Sequence, residues 1–335
     1  MHAEKFRMAA GYSPDGRHSL TYTLVQNVHV RVGMVHTRAP SAFVDAPVRR
    51  LRTPRGAGYR SRMASASHDA MPLTEVAVYR RTVRAAVASV WENVRDWEHL
   101  PWLHRTTFRA VDLLAESRDG WRARVALQPG GADDEAVIDL RIDRAASRYV
   151  ARTAEGAGRG TEIWTDLAPL AGGRTSVTVR FLVPGVAPDR AARIGRGYVA
   201  LYTRLWDEDE GMMARREELL GAAAGGDAAP APDVAELGRR AAVRARLPLL
   251  VEVGGRAYRL VEIDGALVAH ATVCPHMLGP LAEAPLEDGC VRCPWHGYRF
   301  DARTGRSADG RRLRLPPAPR VEVDPATSDV RLTFG

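Results

Sequence analysis

The sequence of 335 residues holds three cysteines, a single lysine and no apolar run long enough to cross a bilayer. Each scarcity excludes something. Without a spanning segment, a soluble protein that is not embedded in a membrane is expected. Three cysteines, all between 274 and 293, do not make the disulfide framework of a small secreted domain. Clustered thiols point instead to a metal site in a reducing compartment, the cytoplasm. Only Lys5 breaks the use of arginine among 48 basic residues, as in coding sequence from a GC-rich genome, so arginine abundance alone says little about function. Nor does the formal charge of +8 indicate nucleic acid. Residues 1–70 hold eleven Lys or Arg against four Asp or Glu, which leaves the rest of the chain close to neutral and without a basic face.

Those first 70 residues lack apolar periodicity and mix Arg, Pro, Gly and Ser, as in RRLRTPRGAGYRSR at 49–62. They read as a disordered basic N-terminal segment. No apolar stretch follows Arg49 and Arg50, which argues against a twin-arginine export signal. A translated upstream region, with the true start at Met63 or Met71, is the expectation.

From Thr74 the chain becomes orderly. TEVAVYRRTVRA alternates like a half-buried strand, and Val87, Val90, Trp91, Val94 and Trp97 then recur at helical spacing. Pro101 disfavours helix at Leu100, so the helix is expected to break there. Six strand-like runs follow between 109 and 183, and a long helical pattern closes the unit from about Pro188 to Leu220. The class is α+β, with a curved antiparallel sheet around a long final helix. This order resembles the helix-grip fold of the polyketide cyclase and START-like (SRPBCC) superfamily over residues 73–222, which implies an apolar pocket between sheet and helix. GAAAGGDAAPAPD at 221–233 has no periodicity and reads as a flexible linker, and the division into domains sets the linker at 223–239. Beyond it, runs joined by GG and DG turns predict an all-β domain over 240–335.

That domain contains CPHMLGPL at 274–281 and CVRCPWHGYRFD at 290–301. Cys274, His276, Cys293 and His296 make a set of two sulfurs and two imidazoles, which spacing alone allows to hold zinc as well as iron. The flanking residues resemble the Rieske [2Fe-2S] family. The resemblance implies Cys274 and Cys293 on one iron and His276 and His296 on the other, with a higher potential than an all-cysteine cluster. Gly279 and Trp295 stand where the cytochrome bc-type members carry an extra disulfide, so the likeness is to ferredoxins and oxygenases. Cys290 reads as a buried strand residue. Tyr298 is a candidate hydrogen-bond donor toward the cluster or a packed aromatic.

A Rieske cluster moves single electrons and needs an acceptor. ENVRDWEHLPWLH, 92–104, has the pattern ENxxDxxHxxxxH, and two imidazoles with one carboxylate suit non-haem Fe(II) and dioxygen. Rieske non-haem iron oxygenases carry a similar stretch on a helix-grip domain, which implies His99 and His104 as iron ligands and Asp96 as an electron relay. The third ligand there is an aspartate on the final helix. Here Ile194, Tyr198, Leu201 and Leu205 form an apolar stripe that reaches Asp209 and Met212, and a carboxylate on a buried stripe needs a partner. Glu208 and Glu210 fall off the stripe and read as solvated. Two features weigh the other way. DWEHLPW also fits iron-free helix-grip proteins, in which both histidines are ordinary polar residues, and the oxygenases place the Rieske domain first whereas here it is last.

The resulting expectation is an oxygenase-like oxidoreductase with a [2Fe-2S] cluster, a mononuclear Fe(II), a ferredoxin or flavin reductase as electron donor, dioxygen, and a hydrophobic small-molecule substrate. The resemblance also implies a trimer passing electrons between subunits, although the linker leaves transfer within one chain open. The rival is a ligand-binding module fused to an electron-transfer Rieske ferredoxin. A weaker third is a cyclase-like enzyme using an Asp or His for acid–base work, with a regulatory Rieske part.

Overall fold

The structure, a computed structural model, describes residues 19–25, 28–33, 71–131, 134–224 and 232–334. Most of the N-terminal segment expected to be disordered lies outside the described residues. Within it, however, β1 (Ser19–Val25) and β2 (Val28–Gly33) pair as an antiparallel hairpin. SLTYTLV and VHVRVG alternate β-branched residues over a length too short to stand out against the surrounding Arg, Gly and Pro.

The first large unit follows the expected order. β3 (Leu73–Val83) leads to α1 (Val87–Arg95) and α2 (Leu100–Leu103). β4 (Phe108–Ser117), β5 (Gly120–Leu127), β6 (Glu135–Asp143), β7 (Arg148–Gly156), β8 (Glu162–Leu170) and β9 (Arg174–Pro184) then run in succession before α3 (Pro188–Ala224). The sheet is antiparallel throughout, in the order β3-β9-β8-β7-β6-β5-β4, so β9 returns to pair with the first strand. β9 shows the period of two plainly: Thr175, Val177, Val179, Phe181 and Val183 are buried and the residues between them are not. Ile194, Tyr198, Trp206 and Met213 of α3 complete that core, with Tyr198 stacked on Phe181 at 5.0 Å between ring centres. Val90, Trp91 and Val94 of α1 join it.

The helix break falls earlier than Pro101. α1 ends at Arg95, Asp96 leaves helical geometry (φ −85°, ψ 86°), and Trp97–His99 form a 3₁₀ turn. Leu100 is helical after all (φ −51°, ψ −50°), because Pro101 sits in the first turn of α2, where a missing N–H costs nothing. Asp96 and His99 are thereby turned off the solvent face of α1.

α3 extends to Ala224, through the start of the stretch read as flexible, and 225–231 lie outside the described residues. β10 (Val234–Arg239) was also read as linker. It pairs instead with the last strand, because VAELGR offers alternating apolar positions that Ala235 and Leu237 use in a core with Val330 and Leu332. α4 (Arg240–Arg244), β11 (Leu249–Val253), β12 (Arg256–Ile263) and β13 (Ala266–Ala271) follow. β14 (Leu286–Glu287), β15 (Cys290–Arg292), β16 (Arg299–Asp301), β17 (Arg320–Val323) and β18 (Asp329–Thr333) complete the chain. They form three three-stranded sheets, β10-β18-β17, β11-β12-β13 and β14-β15-β16. Among the described residues no helix is long and apolar enough to cross a membrane.

Candidate metal centres

Two loops of the C-terminal unit face each other. The loop after β13 carries Cys274 and His276 and is closed by a bond from the Cys274 amide to the Gly279 carbonyl, 2.9 Å. The loop after β15 carries Cys293 and His296 and is closed by Cys293 N–H to Tyr298 O, 2.9 Å, and Gly297 N–H to Cys293 O, 2.8 Å. These bonds bring the four side chains together. Both thiols are buried, and their mutual hydrogen bond drives the Cys293 pKa down to about 5 while raising that of Cys274. The imidazoles of His276 and His296 stand nearly perpendicular with centroids 4.4 Å apart, and the Nδ1 atom of each is buried without a partner. A Cβ on Gly279 would lie 2.6 Å from Cys293 Sγ, so that backbone passes as close to the sulfur as any residue can. Two sulfurs and two orphaned imidazole nitrogens fit a [2Fe-2S] cluster with mixed ligands. Cys290 is a buried free thiol on β15, as expected.

A second constellation lies in the first unit. His99 and His104 flank α2, and both Nε2 atoms face one oxygen of Asp209 on α3: 3.5 Å from His99 and 3.1 Å from His104. Neither contact has hydrogen-bond geometry, and Asp209 Oδ1 is buried without a partner. The three residues are 3%, 1% and 9% exposed, and one donor atom from each falls within 4.8 Å of the other two. The second nitrogen of each ring faces a carboxylate: His104 Nδ1 donates to Glu208 at 2.6 Å, and His99 Nδ1 lies 3.6 Å from Asp96. Metal-ligating histidines are held in this way, the outer carboxylate fixing the tautomer that leaves the inner nitrogen bare. Burial disfavours a charged His104, but Asp209 and Glu208 outweigh it and lift its pKa to about 9. Burial likewise opposes ionisation of Asp209, and His104, then His99, with the Asn93 side chain, overcome it and hold the carboxyl below its ordinary range. Such a set, two imidazoles and one carboxylate, suits Fe(II) with open positions.

Asp96 joins the two groups. Its carboxylate accepts a 2.5 Å bond from His296 Nε2 while facing His99, and these contacts outweigh burial to hold it well below the carboxylate range. Burial disfavours a charged His296, but the bond to Asp96 and the adjacent Cys293 sulfur outweigh it and lift its pKa to about 9. Around this junction Tyr298 donates to Glu98, with Arg311 stacked 3.6 Å over the Tyr298 ring and bonded to Glu98. Tyr298 therefore bonds across to the first unit rather than toward the cysteines, because Glu98 supplies an acceptor that a reading of the C-terminal unit alone does not contain. A cavity of about 990 Å³ between sheet and α3 has His99, His104 and Asp209 in its wall, among Phe108, Trp121 and other apolar side chains.

Glu208 and Glu210 correct the sequence reading. Glu208 is half-buried against His104, and Glu210 is buried in a network with Arg81 and Arg84. A helical stripe records only which residues face the sheet's centre, whereas these longer side chains reach neighbours on either side of it. Glu98 has no role in the sequence reading, and nothing in local spacing marks it. Asn93 is the exception: it stood inside the ENxxDxxHxxxxH pattern without an assigned role.

Comparison with known proteins agrees with the C-terminal geometry. Residues 234–319 match the Rieske [2Fe-2S] domain. Apoptosis-inducing factor 3 of Mus musculus is 42% identical over 59 residues, 18% of this chain and 10% of that protein. The oxygenase component of dicamba O-demethylase from Stenotrophomonas maltophilia is 42% identical over 38 residues, 11% of each. The ferredoxin component of the naphthalene 1,2-dioxygenase system of Pseudomonas aeruginosa is 35% identical over 57 residues, 17% of this chain and 55% of that one. The chain thus spans between a tenth and about half of the length of these relatives. The Zhui aromatase/cyclase from Streptomyces sp. R1128 overlays 42% of the chain and 93% of its own, at 19% identity and a TM-score of 0.36. The C-terminal part of the chain is thus a Rieske [2Fe-2S] domain, carried behind an α+β unit of sheet and gripped helix.

Proposed function

We propose that the protein is a Rieske-type oxygenase in which Cys274, His276, Cys293 and His296 hold the [2Fe-2S] cluster and His99, His104 and Asp209 hold a mononuclear Fe(II). The observation that carries this reading is the Asp96 carboxylate, which contacts His296 on one side and His99 on the other. When bound, the cluster supplies single electrons and the iron a seat for dioxygen. The chain's own residues do the rest. Asp96 keeps the proton of His296 on Nε2 and so leaves Nδ1 bare. Glu208 does the same for the outer nitrogen of His104. The apolar cavity wall takes a hydrophobic substrate and excludes water from the two imidazoles.

Similarity to an oxygenase component and to a ferredoxin component supports a ferredoxin or flavin reductase as electron donor. Because Asp96 and His296 belong to one chain, transfer within the chain replaces transfer between neighbours of a trimer. A ligand-binding module fused to an electron carrier accounts less well for two buried imidazoles and a buried carboxylate converging in the cavity wall. The test is anaerobic reduction of the protein with dithionite followed by mixing with dioxygen. The reading expects Asp209→Ala and Asp96→Asn to slow reoxidation at least about tenfold while the cluster's visible spectrum is kept. Unchanged rates in both variants sink it.

A further inference from the structure

The cavity wall carries a half-buried cation, Arg204, that the site chemistry does not use. Arg204, on the cavity face of α3, donates from Nη2 to Thr107 Oγ1 at 2.9 Å, and its Nε is buried without a partner among the described residues. The acidic residues nearest to it along α3 are engaged elsewhere: Asp207 with Arg81, Glu208 with His104, Asp209 with both histidines, and Glu210 with Arg81 and Arg84. Among the described residues Arg204 has no carboxylate partner, and a half-buried guanidinium in that state is costly unless something else supplies one. The rest of the lining points the same way. Apart from Asp96 and Asp209, every carboxylate among the described residues is absent from the cavity wall, whereas Arg193 and Arg196 of the same helix face stand exposed at its edge. Positive charge at the edge and inside, in an otherwise mostly apolar chamber, favours an anion with a large apolar body.

We propose that the cavity takes an aromatic or alicyclic carboxylic acid whose carboxylate pairs with Arg204. Arg204 and Asp209 are five positions apart in the helix, about 7.5 Å along the axis. An acid anchored at Arg204 therefore lays its ring toward His99, His104 and Asp209. Which carbon reacts rests on the oxygenase reading. The binding itself does not.

The test is calorimetric titration of the cluster-loaded full chain at neutral pH with 2-naphthoate and with 2-naphthamide, which keeps the shape and removes the charge. The wild type is expected to bind the acid at least about tenfold more tightly than the amide, as a charge-assisted pair does. Arg204→Met should erase the preference while amide affinity stays within about threefold, and Arg204→Lys should keep part of it. Equal binding of acid and amide by the wild type, no binding of either, or a preference unchanged in Arg204→Met overturns the proposal. Should Arg204→Met lose its cluster spectrum, Arg204→Lys decides, since an undiminished preference there overturns it. Iron content separates the two readings. A preference for acid in protein holding cluster iron alone removes the oxygenase and leaves this site, and mononuclear iron without the preference does the reverse.

Discussion

Four consecutive residues of α3, Asp207 to Glu210, send their carboxylates in different directions, and each faces basic side chains. Asp207 meets Arg81, Glu208 meets His104, Asp209 lies between His99 and His104, and Glu210 is held by Arg81 Nε at 3.0 Å, the Arg84 amide at 3.1 Å and Arg84 Nε at 2.8 Å. Glu210 thus ties β3 and the turn before α1 to α3. That structural tie gives a prediction at this scale. Glu210→Ala leaves the Arg81 guanidinium short of a partner and should cost about 2 kcal/mol, a melting midpoint lowered by roughly 4–8 °C in calorimetry. The cluster spectrum should persist. An unchanged midpoint would mean that the exposed Arg84 (77%) and solvent already compensate. Sequence periodicity selected Asp209 because a short acid on a buried stripe has little room to escape. It missed Glu208 and Glu210 because their partners come from distant segments of the chain, out of reach of any local pattern.

At the scale of elements, the site depends on how two short pieces meet. α1 stops at Asp96, the 3₁₀ turn presents His99, and α2 carries Trp102 against the second loop of the C-terminal unit. A Cβ on Gly297 would sit 2.0 Å from Trp102 Cε2, and Gly297 has φ +67°, so both the close approach and the backbone conformation require glycine. Gly297→Ala should force the two units apart next to the Asp96 to His296 bond. The expected outcome is a loss of about 1–3 kcal/mol in stability and slower reoxidation of the reduced protein by dioxygen, measured by stopped flow. Wild-type kinetics in a folded Gly297→Ala protein would show that this contact does not govern transfer. The elements themselves were largely legible: the strands alternate, α3 carries its stripe, and Cys and His occur at close spacing in two tight loops. What the sequence did not reveal was the break at Asp96 and the strand β10. The first is fixed by contacts to residue 296 and the second by pairing with the C-terminal strand, both long-range.

For the molecule as a whole, the order of units matters more than their identity. With the Rieske unit last and Asp96 bonded to His296 of the same chain, each chain carries both proposed ligand sets and the proposed relay. Mixing a Cys293→Ser protein, lacking the cluster, with a His104→Ala protein, lacking the second metal, should therefore restore no reductase-driven dioxygen uptake. Restored uptake would assign transfer to neighbouring subunits instead. The most direct measurement is the ratio of iron to acid-labile sulfide in anaerobically purified protein, taken beside an Asp209→Ala variant with the Rieske electron-spin signal recorded for both. The account predicts about three irons per two sulfides in the wild type, falling to about two in the variant with the signal retained. Equal iron and sulfide in fully loaded wild type, unchanged by Asp209→Ala, would contradict it.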